Sequence, residues 1–455
     1  MRATVQGQTP LLPAKIEHPH SEELFALSEV LDEVEGLVEL VAMDLTEEGT
    51  IDAGRGRPGM AAEQVLRAAV VQQLRQWTFD ELAWHLADSR SYRAFCLIGF
   101  ADTVPKRSTL QENIRKISAE SWEAIHRLLV WKARDEGIEK GRKVRIDSTP
   151  CEADVARPTD SRLCVDIVRL GNRLLERLPE TVDVPWSNHK RRAKKRANEI
   201  RRTRKKVRRK KLYGDLLKVV GRHTEYLLAA FVALLNATPS KEKRTRKETT
   251  ITDLSDLIRK AHRVTEQIRR RIFDEEKVEA CDKIASIFEE HTDILHKRGK
   301  TIFGHKLCLS VGASSLVLDV TVERGNPADS TLATTMIERQ QELYGRVPRQ
   351  AAFDGGFASK DNLANIKKMG VSDVAFNKKR GLKVSDMVRS SWVYKKLYRF
   401  RAGVEGIISW LKRSFGLNRC RWRNGFDSFQ AYVRSAVVAA NLLTMARHRL
   451  ADKGG

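Results

Sequence analysis

Long apolar runs are missing from this chain of 455 residues; none approaches the ~20 consecutive apolar positions that a membrane span requires. The opening stretch, MRATVQGQTPLLPAK, lacks the apolar core of a secretory signal. Cysteine is scarce: six residues lie far apart, at 96, 151, 164, 281, 308 and 420, with no C-x-x-C pair. That pattern argues against a disulfide scaffold or a cysteine zinc site and fits free thiols in a reducing compartment. Acid is in short supply relative to base, with 59 Asp and Glu against 83 Lys and Arg, a formal charge of +24. Hydrophobic residues make up 41% of the chain, enough for a packed core, so it is not a disordered tail. The length suggests about three domains, or one large domain with insertions. A cytoplasmic protein this basic is expected to work on a polyanion, with nucleic acid the first expectation.

The charge is unevenly placed. Residues 21–50 contain ten acids and no Lys or Arg. Leu24, Leu27, Leu31, Val34, Val38 and Val41 recur there at helical spacing, which predicts one acidic amphipathic helix. It is expected to be solvated, or to dock on a basic partner within the chain. Residues 189–211 hold fifteen Lys or Arg and one Glu, a local +14. The apolar spacing continues beyond them to about Asn236, so the run reads as the basic end of one long helix. Lys190, Arg191, Arg192, Lys194, Lys195, Arg196, Arg201, Arg202, Arg204, Lys205, Lys206, Arg208 and Arg209 are then candidates for tracking phosphates without reading sequence.

Residues 51–59, IDAGRGRPG, form a turn region. Residues 60–117 read as short helices. Thr78 and Glu81 have capping-box spacing, and Ser108 or Thr109 is expected to cap another helix. Such helices suit a helix-turn-helix module, in which Lys106 and Arg107 would face DNA. KVRIDST at 143–149 reads as a strand. Residues 161–298 read as almost wholly helical, ending in a hairpin of two long helices around the polar loop 237–253. Strands return at 305–311, 316–323, before Asp354 and at 373–377, with helices between and after them. The expected fold class is α/β, with a core interrupted by a helical insertion.

Asp147 ends KVRID, and Asp354 ends QAAFD before Gly355 and Gly356. A carboxylate at a strand end is a natural metal ligand, although each alone reads more readily as a turn or cap residue. In YRFRAGVEGIISWLK, Tyr398, Arg401, Glu405 and Lys412 stand at offsets −7, −4, 0 and +7. At about 100° per residue they fall within roughly 60° of one another on a helix. One face thus carries an aromatic, a guanidinium, a carboxylate and an ammonium.

Tyr-x2-Arg-x3-Glu-x6-Lys, matched in full by these four residues, resembles the signature of DDE transposases from bacterial insertion sequences, in the IS-four-like and IS-five-like superfamily. KVRIDSTP with PTDSRL resembles the first-aspartate region, FGHK to GNPADS the middle strands, and AAFDGGFASKDNL the second-aspartate region. The long basic block resembles that of an ISNCY-like element. The resemblance covers about 57–450 and implies a ribonuclease-H-like catalytic core with an N-terminal all-helical DNA-binding domain. The expected division is an acidic segment 1–56, a helix-turn-helix-like domain 57–140, a core of 141–170 and 300–420, a basic insertion 171–299 and a C-terminal helix 421–455. Carried over, Asp147, Asp354 and Glu405 are the catalytic, metal-binding triad. Asp147 and Asp354 are the principal ligands, and Glu405 completes the second site.

Three carboxylates at one point require cations, and oxygen-only ligands favour two Mg²⁺, with Mn²⁺ able to substitute. Such a pair serves in-line displacement at phosphorus, nicking element ends and joining them to target DNA. Arg401, Lys412 and Tyr398 would hold phosphates or terminal bases. His305, Asn326 and Asp329 carry no assigned chemistry and read as structural. A dimer or higher assembly on double-stranded DNA, in the bacterial cytoplasm at the nucleoid, follows from the resemblance. The alternatives are a catalytically inactive, transposase-derived DNA-binding regulator and a tyrosine recombinase. The latter's H-x-x-R pattern at His189–Arg192 carries little weight inside an arginine-rich run.

Overall fold

A computed structural model describes residues 18–46, 59–99, 101–179, 182–237, 244–297, 299–377 and 380–453. The turn region expected at 51–59 lies outside these apart from Gly59, as do positions 47–50 of the acidic stretch and 238–243 of the polar loop. The chain divides into two compact units, one of residues 1–154 and 304–455, the other of 155–303.

Six strands are present among the described residues: β1 (Lys143–Glu152), β2 (Asp293–Lys297), β3 (Lys300–Val311), β4 (Val317–Glu323), β5 (Gln350–Phe353) and β6 (Asp373–Phe376). Five of them form a mixed sheet in the first unit, in the order β4-β3-β1-β5-β6, and β2 pairs with β3. β4, β3 and β1 are antiparallel neighbours, while β1, β5 and β6 run parallel. The parallel steps need crossovers. The helices Asp329–Tyr344 and Lys360–Lys368 supply them. Val144 to Thr149 are buried without alternation, so β1 is covered on both faces. The helix Ser391–Ser414 packs across β1, β5 and β6. Its start is set by Ser390, whose hydroxyl accepts from the Val393 amide.

β1 and β3 are the two arms of a hairpin whose tip holds the whole second unit. Glu152 pairs with Gly304, and residues 155–303 leave and return between them. The strands meet tightly there. A Cβ on Gly304 would sit 2.7 Å from Glu152 Cα and closer still to the Cys151 carbonyl.

Several elements differ from their sequence reading. The acidic stretch forms two helices, Pro19–Glu33 and Leu37–Leu45, broken where Gly36 adopts a left-handed φ of +87°. Acids of the first helix are paired: Glu23 with Arg447, Glu29 with Lys453, and Glu33 with Arg449 and Lys132. The capping box at Thr78 forms as read. The next capped helix instead begins at Arg107, with Lys106 at its N-cap and no side-chain cap.

In the second unit the basic run is two helices, Lys190–Arg202 and Lys206–Asn236. Arg192 and Arg196 both reach Asp215, which a continuous helix would carry about 30 Å away at 1.5 Å per residue. The chain therefore folds back at 203–205. The second helix of the expected hairpin stops at Ile268 with a π-helical turn, Arg269–Phe273. Residues 274–292 are irregular, because Glu275 takes a positive φ and Gln267 binds the Ile284 amide in place of a helical partner.

Gly304→Ala should lower the stability of the first unit by about 1–3 kcal/mol, since backbone atoms must shift. A chemical-denaturation midpoint equal to wild type would show that the β1–β3 junction is not close-packed.

Candidate active site

The parallel register of β1 and β5 brings two aspartates together. Val144 pairs with Ala351, Arg145 with Ala352 and Ile146 with Phe353. One step further in each chain come Asp147 and Asp354. Adjacent strands are about 4.8 Å apart, so residues 207 positions apart in sequence become neighbours. Asp147 is buried, and its Oδ1 accepts from the Ser148 amide at 2.8 Å. Asp354 begins the turn Gly355–Phe357 and is partly exposed.

The helix Ser391–Ser414 adds the third carboxylate. Glu405 is 69% exposed at its side chain, while Arg401, one turn earlier, is buried. The Arg401 guanidinium lies between all three acids. Its Nη2 donates to Asp147 Oδ2 at 2.8 Å and lies 3.1 Å from Asp354 Oδ1; its Nη1 donates to Glu405 Oε1 at 3.1 Å. One positive charge thus faces three negative ones. Among the described residues no group of three His, Cys, Asp or Glu side chains stands ready to hold a metal ion. The acids gather around a guanidinium instead. Each offers oxygen, so the donor set suits a hard divalent cation.

Two residues not singled out in the sequence position this helix. Arg145, one step before Ile146 in β1, is buried. It donates to the Phe400 carbonyl and to Ser315 Oγ, both at 3.2 Å, and stacks 4.8 Å from the Phe400 ring centroid. Gly403 faces that guanidinium, and a Cβ there would overlap Arg145 Nη1. The available signal was a charged residue inside an apolar strand segment, VRI. Tyr398 is exposed and Lys412 partly so, on the same helix.

The other expected contacts divide. Lys106 is exposed, and Arg107 is exposed with its Nε 3.3 Å from Asp80. In the basic run Arg192, Arg196 and Lys206 are held by Asp215, Glu199 and Glu275. Lys190, Arg191, Lys194, Lys195, Arg201, Arg202, Arg204, Lys205, Arg208 and Arg209 have no carboxylate partner among the described residues. His305 is fully buried against Phe426 and Phe429, and Asp329 accepts from Lys306 at 3.0 Å.

Residues 265–442 match the family model described as Transposase DDE domain, and residues 18–116 match Transposase domain (DUF772). The first match holds Asp354, Arg401, Glu405 and Lys412, while Asp147 precedes it. No curated protein and no solved structure matches the chain. Two transposase domains together span more than half of the sequence, and the fold is a mixed sheet with many helices: the chain belongs to the DDE-type transposases of insertion sequences.

Proposed function

We propose that this transposase binds the terminal inverted repeats of its element and carries out metal-dependent cleavage and transfer of DNA strands, with Asp147, Asp354 and Glu405 as its catalytic carboxylates. The observation that carries the reading is the convergence of these three side chains on Arg401 from two adjacent strands and one helix. The strand order β4-β3-β1-β5-β6, with two antiparallel and then two parallel pairings, supports a ribonuclease-H-like core. The insertion then interrupts the hairpin between the first and middle strands of that core.

Asp147 and Asp354 would hold the divalent ions, and Glu405 would complete the second site. Bound there, two Mg²⁺ or Mn²⁺ ions supply activation of the attacking oxygen and stabilisation of the leaving oxygen at phosphorus. Without them, Arg401 is the counter-charge that keeps three acids together. Its guanidinium would also hold a DNA phosphate, alongside Lys412 and Tyr398. Lys106 and Arg107 lie on the N-terminal helical domain, which we assign to end recognition. The ten unpaired cations of 190–209 serve backbone binding. Work on two element ends calls for a dimer or larger assembly on DNA, at the bacterial nucleoid.

Asp147→Ala, Asp354→Ala and Glu405→Ala should each cut Mg²⁺-dependent cleavage of a terminal-repeat duplex by about three orders of magnitude or more, while duplex binding persists. Cleavage retained by any one of them removes that residue from the triad.

Arg401→Ala should destabilise the metal-free protein by on the order of 3 kcal/mol, because a buried carboxylate loses its partner. Mn²⁺ should raise the melting temperature of this variant more than that of wild type. Equal shifts in calorimetry would show that Arg401 does not occupy the cation position.

A further inference from the structure

The second unit contains a cavity of about 810 Å³ between the helices Asp160–Leu175 and Lys190–Arg202 and the start of Lys206–Asn236. Its walls are sorted by chemistry. Arg157, Lys190, Lys194, Arg201 and Arg209 line it, and none has a carboxylate partner among the described residues. Arg162 and Arg169 also line it and share one acid, Asp166, at 3.8 and 3.5 Å. Seven cations therefore face one space against a single carboxylate. Its floor is apolar, made by Val165, Ala197, Ile200 and Tyr213. The Arg209 guanidinium lies 6.0 Å from the Tyr213 ring centroid, offering a flat cationic surface.

The basic run is thus not uniform. Arg192 and Arg196 turn to Asp215 and fasten two helices together, while Lys206 and Lys210 turn to Glu275 in the irregular segment. Other cations of the same helices turn to the cavity with their charge uncompensated. We infer that this cavity is a binding site for single-stranded DNA. Of the ten cations assigned above to backbone binding, Lys190, Lys194, Arg201 and Arg209 line this cavity, where they would serve the single strand, and the other six lie outside its lining.

The volume selects the form of the ligand. It falls in the range of about 300–1,000 Å³ typical of pockets for small ligands. A duplex, whose major groove alone is about 12 Å wide, does not enter such a space. A single strand does. Its phosphates meet the cationic walls, and its unpaired bases meet the apolar floor and the Arg209 plane, the combination by which single strands are held without regard to sequence. A free phosphate shares the anionic chemistry but makes no use of the floor. The inference rests on the reading of the protein as one that acts on DNA, but not on the triad.

The test is fluorescence anisotropy of a labelled oligothymidine on the full-length protein, with a terminal-repeat duplex in parallel. Lys190→Gln/Lys194→Gln/Arg201→Gln removes three cations from the walls. Arg191→Gln/Lys195→Gln/Arg202→Gln removes the same charge from outside the cavity. The first variant should lose about tenfold or more in oligothymidine affinity, with its salt slope reduced by about 2, and the second should stay within about threefold of wild type. Ala197→Trp fills the space with every charge kept. It should abolish oligothymidine binding while leaving duplex affinity and the thermal transition as in wild type. Inorganic phosphate at matched phosphate concentration should not displace the oligomer.

Equal losses in the two triple variants, wild-type binding by Ala197→Trp, or displacement by phosphate would each overturn the inference. Asp147→Ala separates the two readings. If it still cleaves while the oligomer binds the cavity, the catalytic assignment fails alone. If wild type cleaves duplex ends but binds no single strand, the cavity fails alone.

Discussion

The Arg401 guanidinium is the interaction on which the site depends. A buried cation without partners is strongly unfavourable, and so is a buried carboxylate such as Asp147. Each compensates the other only if three separate pieces of chain arrive together: β1, the end of β5 and the helix Ser391–Ser414. The parallel register delivers the two aspartates. Gly403 and Arg145 then allow the helix to approach β1 closely enough for Arg401 to reach them. Around the guanidinium the local balance is one positive charge against three negative. That surplus of acid is what a divalent ion would relieve.

The same balance of paired and unpaired charge operates across the chain. The acidic N-terminal stretch is not a free counterweight to the +24. Arg449 binds both Glu33 and Glu136, and hydrogen bonds from Arg449 and Lys132 hold the Glu33 carboxyl down to about 2. These acids anchor the helix Pro19–Glu33 to the last helix, Phe426–Lys453, and are consumed in doing so. In the second unit Asp215 and Glu275 likewise consume part of the basic run. What remains for a polyanion is the set of cations without acids beside them. Net charge alone overstates how many there are and does not say where they converge.

Much of this was legible in the sequence because it depends on local pattern. The strand segments around Asp147 and Asp354, and the helical face from Tyr398 to Lys412, follow from apolar alternation and the 3.6-residue period. What pattern did not show were features decided by contacts distant in the chain. The break at 203–205 is invisible in a run of Arg and Lys with good helix propensity, and it exists because Arg192 and Arg196 share Asp215. The split of the acidic helix turns on one glycine, Gly36, whose cost in a helix is too small to foresee as a stop. Arg401 was read as a DNA contact from its place on the Glu405 face. Helical geometry puts both residues on that face but cannot say that one is buried among carboxylates while the other stays exposed.

The long gap between Asp147 and Asp354 also acquires a physical explanation. An antiparallel hairpin constrains only that its two strands begin pairing at matched positions, and Glu152 opposite Gly304 satisfies this whatever lies between. The entropy of closing a loop grows only with the logarithm of its length, so a long insertion costs little more than a short one. Here the inserted chain also folds on its own core, with Tyr213, Leu216, Leu257 and Val264 buried within it, and no longer behaves as a loop. The tip of β1 and β3 is therefore a place where a helical unit enters without shifting the β1–β5 register that sets the two aspartates side by side. A one-residue insertion within β1 or β5 would move its aspartate to the other face of the sheet, because side chains alternate with a period of two. The position of the second unit in the chain is thus constrained by the site it leaves intact.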